Sequence, residues 1–169
     1  RGRIMRRVSA RRFRAPIGST VPLESAPLTD VRTSSETIPA EEGVDLRAIV
    51  VQPAGDGPFP LLVMPSSWAV DDREYVAAAA NLAQSDYLVV SYTSRGFWNS
   101  GGEIDIAGPD TVKDVDTVIT WATDKYRISD KIGAVGISYG AGTSLLAAAG
   151  SDSRIRAVAA MSTWGSLAE

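Results

Sequence analysis

The chain has 169 residues, 44% of them apolar and 22% charged, the balance of a globular domain large enough to bury a core. It has no cysteine and no histidine, so these residues supply no disulfide, thiolate metal site, thiol nucleophile or imidazole base. The net charge of −3 hides a division: seven of the first 14 residues are arginines with no acid among them, leaving ten basic and 20 acidic residues for the rest.

Residues 1–37 are expected to form a basic, then Pro- and Ser-rich segment that is disordered or extended, lying at an edge of the domain. An arginine arm can bind nucleic acid or an anionic membrane. Phe13 is its only aromatic residue and it shows no amphipathic helical pattern, so a plain leader is the simpler reading and no nucleic-acid partner is expected. Residues 8–14 do not form the apolar core of a signal peptide, and no apolar run approaches the length of a membrane span.

From residue 38 to 169 the pattern is that of one α/β domain. Residues 44–51 alternate weakly and end at Gln52-Pro53, as a strand does. After a Gly/Pro turn, residues 59–64 form an apolar run that suits a strand buried on both faces. Asp71 or Asp72 is then expected to cap a helix reaching about Gln84, with Tyr75, Val76, Ala79, Leu82 and Ala83 inward. Residues 87–92 predict the next strand, and a long loop follows over residues 93–103. Pro109 occupies a favoured first helical position, and Val112, Val115, Val118, Ile119 and Ala122 give that helix its apolar stripe to about Thr123. A strand over 132–137, a small-residue helix over 139–149 and a last strand over 154–161 complete the series. This alternation predicts an α/β fold: a mostly parallel sheet with helices on both faces.

In such sheets ligands are bound by the loops that follow the carboxyl ends of strands. The three most distinctive loops here follow Met64, Tyr92 and Ile137. The last is Gly136-Ile137-Ser138-Tyr139-Gly140, which fits G-x-S-x-G, the nucleophile elbow. In that turn a serine between strand and helix is held in strained geometry with its hydroxyl exposed, and glycines two before and two after allow close backbone approach. The plainer alternative is a Gly-rich turn with a surface serine.

The segment from about Val44 onward resembles the α/β-hydrolase fold, and within it the branch of X-Pro dipeptidyl peptidases and cocaine-esterase-like acyl hydrolases. The resemblance rests on Gly136-Ile-Ser-Tyr-Gly140, on Ser94-Arg-Gly-Phe-Trp-Asn-Ser-Gly-Gly-Glu103 and on the helix beginning Pro109-Asp-Thr-Val just upstream of the elbow. It implies a serine acyl hydrolase, peptidase or esterase, acting through an acyl-enzyme on Ser138. Tyr139 would give one oxyanion-hole donor through its backbone N–H. The second is expected from the loop after Met64, from the N–H of Ser67 or of Trp68, in place of the His-Gly or Tyr-Gly turn of many relatives.

Gly136 and Gly140 support the turn, and Arg95 with Gly96 is expected to buttress the site, the guanidinium tying carbonyls or a carboxylate together. A substrate-carboxylate role for Arg95 is the sharper alternative. Phe97 and Trp98 either line an acyl or proline pocket or simply pack. Asp114 and Asp116 do not share a helix face and are read as solvated charges. No cluster has metal-ligand spacing and no cofactor is expected. The expected partner is a small-molecule or peptide acyl substrate.

The triad order of the fold is Ser, then Asp or Glu, then His. Only eight residues follow Met161, and Lys113, Lys125 and Lys131 fall away from the elbow. The sequence therefore reads as the N-terminal portion of such a core, truncated before its last strands, its acid and its base. On this reading the final strand is an apolar edge along Ile155, Val158, Ala159 and Met161, and the isolated chain is expected to be poorly soluble or partly folded. A non-catalytic α/β domain with a binding role, or none, is the competing reading.

Overall fold

Two short apolar runs, Phe59–Pro65 and Leu88–Tyr92, hydrogen-bond side by side at the centre of a six-stranded sheet. The structure is a computed structural model that describes residues 31–165; the arginine arm lies outside the described residues. In chain order the strands are β1 (Arg32–Pro39), β2 (Asp45–Gln52), β3 (Phe59–Pro65), β4 (Leu88–Tyr92), β5 (Ile128–Ile137) and β6 (Ala157–Met161). The α-helices are α1 (Val76–Ala83), α2 (Pro109–Lys125) and α3 (Ser138–Ala149).

The sheet order is β1-β2-β4-β3-β5-β6. β1 pairs antiparallel with β2, and β2 antiparallel with β4. β4, β3, β5 and β6 are mutually parallel. Each parallel step needs a crossover, and the three helices supply them. β3, β4 and β5 therefore all end at the same edge of the sheet, and the three loops singled out in the sequence come together there.

Side chains alternate across the central strands, as a sheet covered on both faces requires. Leu61, Val63, Leu88, Val90 and Tyr92 point to the face covered by α2, against Val115, Val118, Ile119 and Ala122. Met64 and Val89 point to the other face, against Tyr75, Ala79 and Ala83 at α1. Full burial of one such Leu or Val is worth about 1.5–3 kcal/mol over leaving it in water.

Several boundaries differ from the sequence reading; the strand expected over 132–137, for one, starts at Ile128. Arg32–Pro39 is an edge strand that runs two residues past the segment read as disordered or extended, in register with β2 from Arg32↔Gln52 to Pro39↔Asp45. Neither Asp71 nor Asp72 caps α1, which begins at Val76 with no side-chain cap. The Asp71 carboxylate instead accepts from the N–H and guanidinium of Arg73, and Asp72 N–H donates to Thr93 Oγ1. The last strand starts at Ala157 rather than at Arg154. It forms the edge opposite β1, carries no charge, and leaves Met161 48% exposed.

Candidate active site

Local sequence dictates the geometry of the elbow. β5 runs straight into α3 with no intervening loop, so the chain must reverse within a single residue. Ser138 takes that turn at φ 52°, the left-handed region. A non-glycine residue there carries strain on the order of 1–3 kcal/mol and persists because its surroundings over-determine it. Both flanking glycines are sterically required. A Cβ on Gly136 would lie 2.4 Å from the Gly140 carbonyl carbon, and one on Gly140 would lie 2.1 Å from the Pro65 carbonyl oxygen. The first turn of α3 thus rests directly on its own strand and on the end of β3, leaving Ser138 half-buried.

The start of α3 is chemically open. Ile137 stands at the cap position and offers no side-chain acceptor, and no acidic residue lies in the first turn. Among the described residues no acceptor pairs with Tyr139 N–H. An uncapped helix N-terminus presents free N–H groups and the positive end of the helix dipole.

The loop after β3 is tied down at its first two residues. Ser66 N–H donates to Tyr92 C=O at 3.0 Å, and Ser66 Oγ accepts from Ser94 N–H at 3.1 Å. Ser67 N–H donates to Glu74 Oε2 at 2.7 Å. Of the two loop donors expected from the sequence, the Ser67 N–H is therefore occupied. Trp68 N–H has no acceptor among the described residues.

Trp68, 47% exposed, stands edge-on to Phe97 at 4.9 Å and to Tyr139 at 5.3 Å between ring centroids. Tyr139 is buried; its hydroxyl accepts from Ala107 N–H at 2.9 Å, and Trp164 lies 6.3 Å away on its other side. Phe97 packs within this cluster. Trp98 does not: it is 68% exposed, and its indole N–H donates to Ala69 C=O at 2.8 Å. Trp68, Phe97 and Tyr139 thus form one aromatic cluster built from all three loops.

Arg95 lies behind these rings, with Gly96 N–H turning back to Gly101 C=O at 2.9 Å. Its guanidinium forks onto Asp114, Nε to Oδ2 and NH2 to Oδ1 both at 2.7 Å, with Asp110 at 3.3 Å. Asp114 is 2% exposed, so the reading of it as a solvated charge is corrected. Burial pushes its carboxyl up, and the hydrogen bonds and charge of Arg95 oppose that shift. Asp116, two residues on and on the opposite face of α2, is exposed and pairs with Arg154. The guanidinium is committed to a protein carboxylate, which makes Arg95 a buttress between the loop after β4 and α2.

Asp105 closes the opposite side of that loop. Its carboxylate accepts from Asp110 N–H at 3.0 Å, Thr111 N–H at 3.2 Å and the Thr111 hydroxyl, and so caps α2 from three residues before the cap position at Gly108. Burial works to raise this carboxyl, but the hydrogen bonds from Thr111, Asp110 and Gly108 outweigh it and hold it below the ordinary carboxylate value. Among the described residues, no group of three or more His, Cys, Asp or Glu is placed to hold a metal ion, and no helix is long and apolar enough to cross a membrane.

Comparison with known proteins places this arrangement. A family model described as X-Pro dipeptidyl-peptidase (S15 family) matches residues 42–169. Cocaine esterase of Rhodococcus sp. (strain MB1 Bresler) is 24% identical over 114 residues, covering 63% of this chain and 19% of the esterase. A hypothetical protein from Pseudomonas aeruginosa has a similar structure at TM-score 0.70 and 20% identity, over 82% of this chain and 45% of that one. An esterase from Pyrococcus furiosus gives 0.65 and 19%, over 78% and 51%. A CocE/NonD family hydrolase from Staphylococcus aureus gives 0.65 and 22%, over 75% and 26%. At these identities the structural likenesses show the α/β-hydrolase fold. The chain spans about a fifth of the length of the curated relative it matches, and between a quarter and a half of these three structures.

Proposed function

The chain belongs to the X-Pro dipeptidyl-peptidase (S15) family, and on that premise we propose that it carries the nucleophile and oxyanion half of a serine acyl hydrolase of the CocE/NonD kind. Ser138 Oγ attacks the carbonyl carbon of a small-molecule or peptide acyl substrate. A C–O bond forms, and the carbonyl oxygen takes on negative charge. The N–H of Tyr139 and the N–H of Trp68 donate to that oxygen. As the carbonyl re-forms, the bond to the leaving amine or alcohol breaks and that group takes up the proton given up by Ser138; water then attacks the acyl-enzyme, releasing the acid and returning a proton to Ser138. Losing one such donor costs about 2.7–4 kcal/mol of transition-state stabilisation in comparable sites. Trp68, exposed and backed by the buried Phe97 and Tyr139, offers a surface that suits an apolar acyl group or a proline ring.

The observation that carries this reading is the strained Ser138 at the mouth of a helix whose first N–H groups are left unpaired. The proton of Ser138 has to reach a base, and none of the 169 residues is a histidine. That fact favours a second reading, a non-catalytic α/β domain with a binding role or none.

One experiment separates the two. The full chain is incubated with a fluorophosphonate and, in parallel, with a p-nitrophenyl ester, each with and without added imidazole as an external base. The expected result is no turnover without imidazole, and imidazole-dependent phosphonylation located on Ser138 by peptide mass spectrometry and absent from Ser138→Ala. Equal labelling of wild type and Ser138→Ala with imidazole present would sink the hydrolase reading.

A further inference from the structure

The residue before the nucleophile is held from a part of the chain that has no motif of its own. Glu74 and Tyr75, adjacent in the turn that leads into α1, converge on Ile137. The buried Tyr75 hydroxyl accepts from Ile137 N–H at 3.1 Å. Glu74 reaches the same residue through Ser67. One carboxylate oxygen accepts from Ser67 N–H at 2.7 Å and the other from Ser67 Oγ–H. That same hydroxyl lies 3.1 Å from the Ile137 carbonyl oxygen. With a single proton, Ser67 Oγ donates to Glu74, to Ile137 C=O or to both in a shared bond, and so brings the carboxylate to the peptide that joins Ile137 to Ser138. Strained backbone of the Ser138 kind needs such outside support.

We propose that Glu74 is a positioning residue of this site, deepening the hydrolase reading on which it rests. Its carboxylate anchors the loop after β3 to the peptide of the nucleophile. It takes Ser67 N–H and leaves Trp68 N–H among the free donors of that loop. The link works through geometry rather than charge alone. Glutamine can reproduce it, its oxygen accepting from Ser67 N–H and its amide donating to Ser67 Oγ, which then gives its proton to Ile137 C=O. Leucine, of similar volume, cannot.

The test compares wild type, Glu74→Leu and Glu74→Gln in the full chain by amide-resolved hydrogen exchange and by imidazole-assisted phosphonylation. Glu74→Leu is expected to speed exchange at Ser67 and Ile137 by about tenfold or more, as loss of charge-assisted hydrogen bonds does, while amides of β3 and β4 keep their rates. Labelling of Ser138 is expected to slow by roughly 10²-fold, the effect of a misplaced reacting group. Glu74→Gln should stay near wild type in both measurements. Unchanged exchange at Ile137 in Glu74→Leu overturns the proposal, and so does acceleration spread evenly through β3 and β4, which would make Glu74 a general stabiliser. If Glu74→Leu fails to fold, Ser67→Ala cuts the link in its middle and is judged on Ile137 exchange by the same criteria. An elbow that loosens as described, in a wild-type chain whose Ser138 never labels, would overturn the hydrolase reading while keeping the role of Glu74 in holding the turn.

Discussion

α2 and α3 start at the same edge of the sheet, and their first turns are treated in opposite ways. At α2, Pro109 has no N–H to satisfy, and the Asp105 carboxylate takes those of Asp110 and Thr111. At α3, nothing caps the turn, and Tyr139 N–H points to no acceptor among the described residues. A cap typically adds about 1 kcal/mol to a helix, so leaving it out is a cost. On the proposed function, the contrast teaches that donors are satisfied where they serve only stability and left free where negative charge would develop. The same division holds beneath the loops: the charge of Arg95 is met by Asp114 and Asp110, while the loop carrying Trp68 keeps a donor open.

Three substitutions probe this division, the largest effect first. Asp114→Ala leaves the buried Arg95 without its forked partner, and breaking a buried pair from one side costs about 3–5 kcal/mol. Urea denaturation should show that loss as a fall in midpoint; a midpoint unchanged from wild type would mean that Arg95 is not a structural buttress. Ile137→Asp gives α3 the cap it lacks. The new carboxylate would take the free N–H groups and repel an oxyanion, so imidazole-assisted labelling of Ser138 should fall by about 10²–10³-fold while thermal stability holds or rises. Labelling that survives the added cap would remove the functional meaning of the contrast.

Asp105→Ala removes the cap that α2 has. About 1 kcal/mol of stability should go, with Ser138 labelling untouched. The sign of its pH dependence follows from the depressed native pKa of Asp105. The carboxylate contributes fully above its unfolded value of about 3.9, and the contribution is lost as pH falls through the lower native value. The stability gap between wild type and Asp105→Ala should therefore be constant above about pH 4 and narrow below it. A gap that widens in acid would contradict the cap.

What could be read from the sequence was what is encoded locally. β3 and β4 are apolar runs, α2 is an apolar stripe opened by Gly108-Pro109, and the elbow is a pentapeptide whose glycines and serine meet within one turn. β1 was harder because Arg32–Pro39 offers a single fully buried apolar residue, Ile38; its order comes from the backbone ladder to β2 rather than from its side chains. Asp71 and Asp72 carry the signature of a helix cap, but Arg73 takes the Asp71 carboxylate, the Asp72 backbone is tied to Thr93, and α1 starts only at Val76. Asp114 looks like any helix-surface acid until Arg95, 19 residues earlier, folds over it. Asp105 had a weak local signal, an acid shortly before Gly108-Pro109. Glu74 had none, because everything it touches at the elbow is brought to it by the sheet.

That long reach bears on when reactivity first exists. Ser67 meets Ile137 across 70 residues of chain and Tyr75 meets it across 62, through a sheet whose parallel pairs are joined by helical crossovers. Contacts of such separation carry a high loop-closure entropy and form slowly. The antiparallel β1–β2 pair, joined by a short connection, has no such requirement. The left-handed turn at Ser138 is therefore expected late in folding: on the proposed function, a nascent or partly folded chain would carry an ordinary serine, and its reactivity would arise with the tertiary structure.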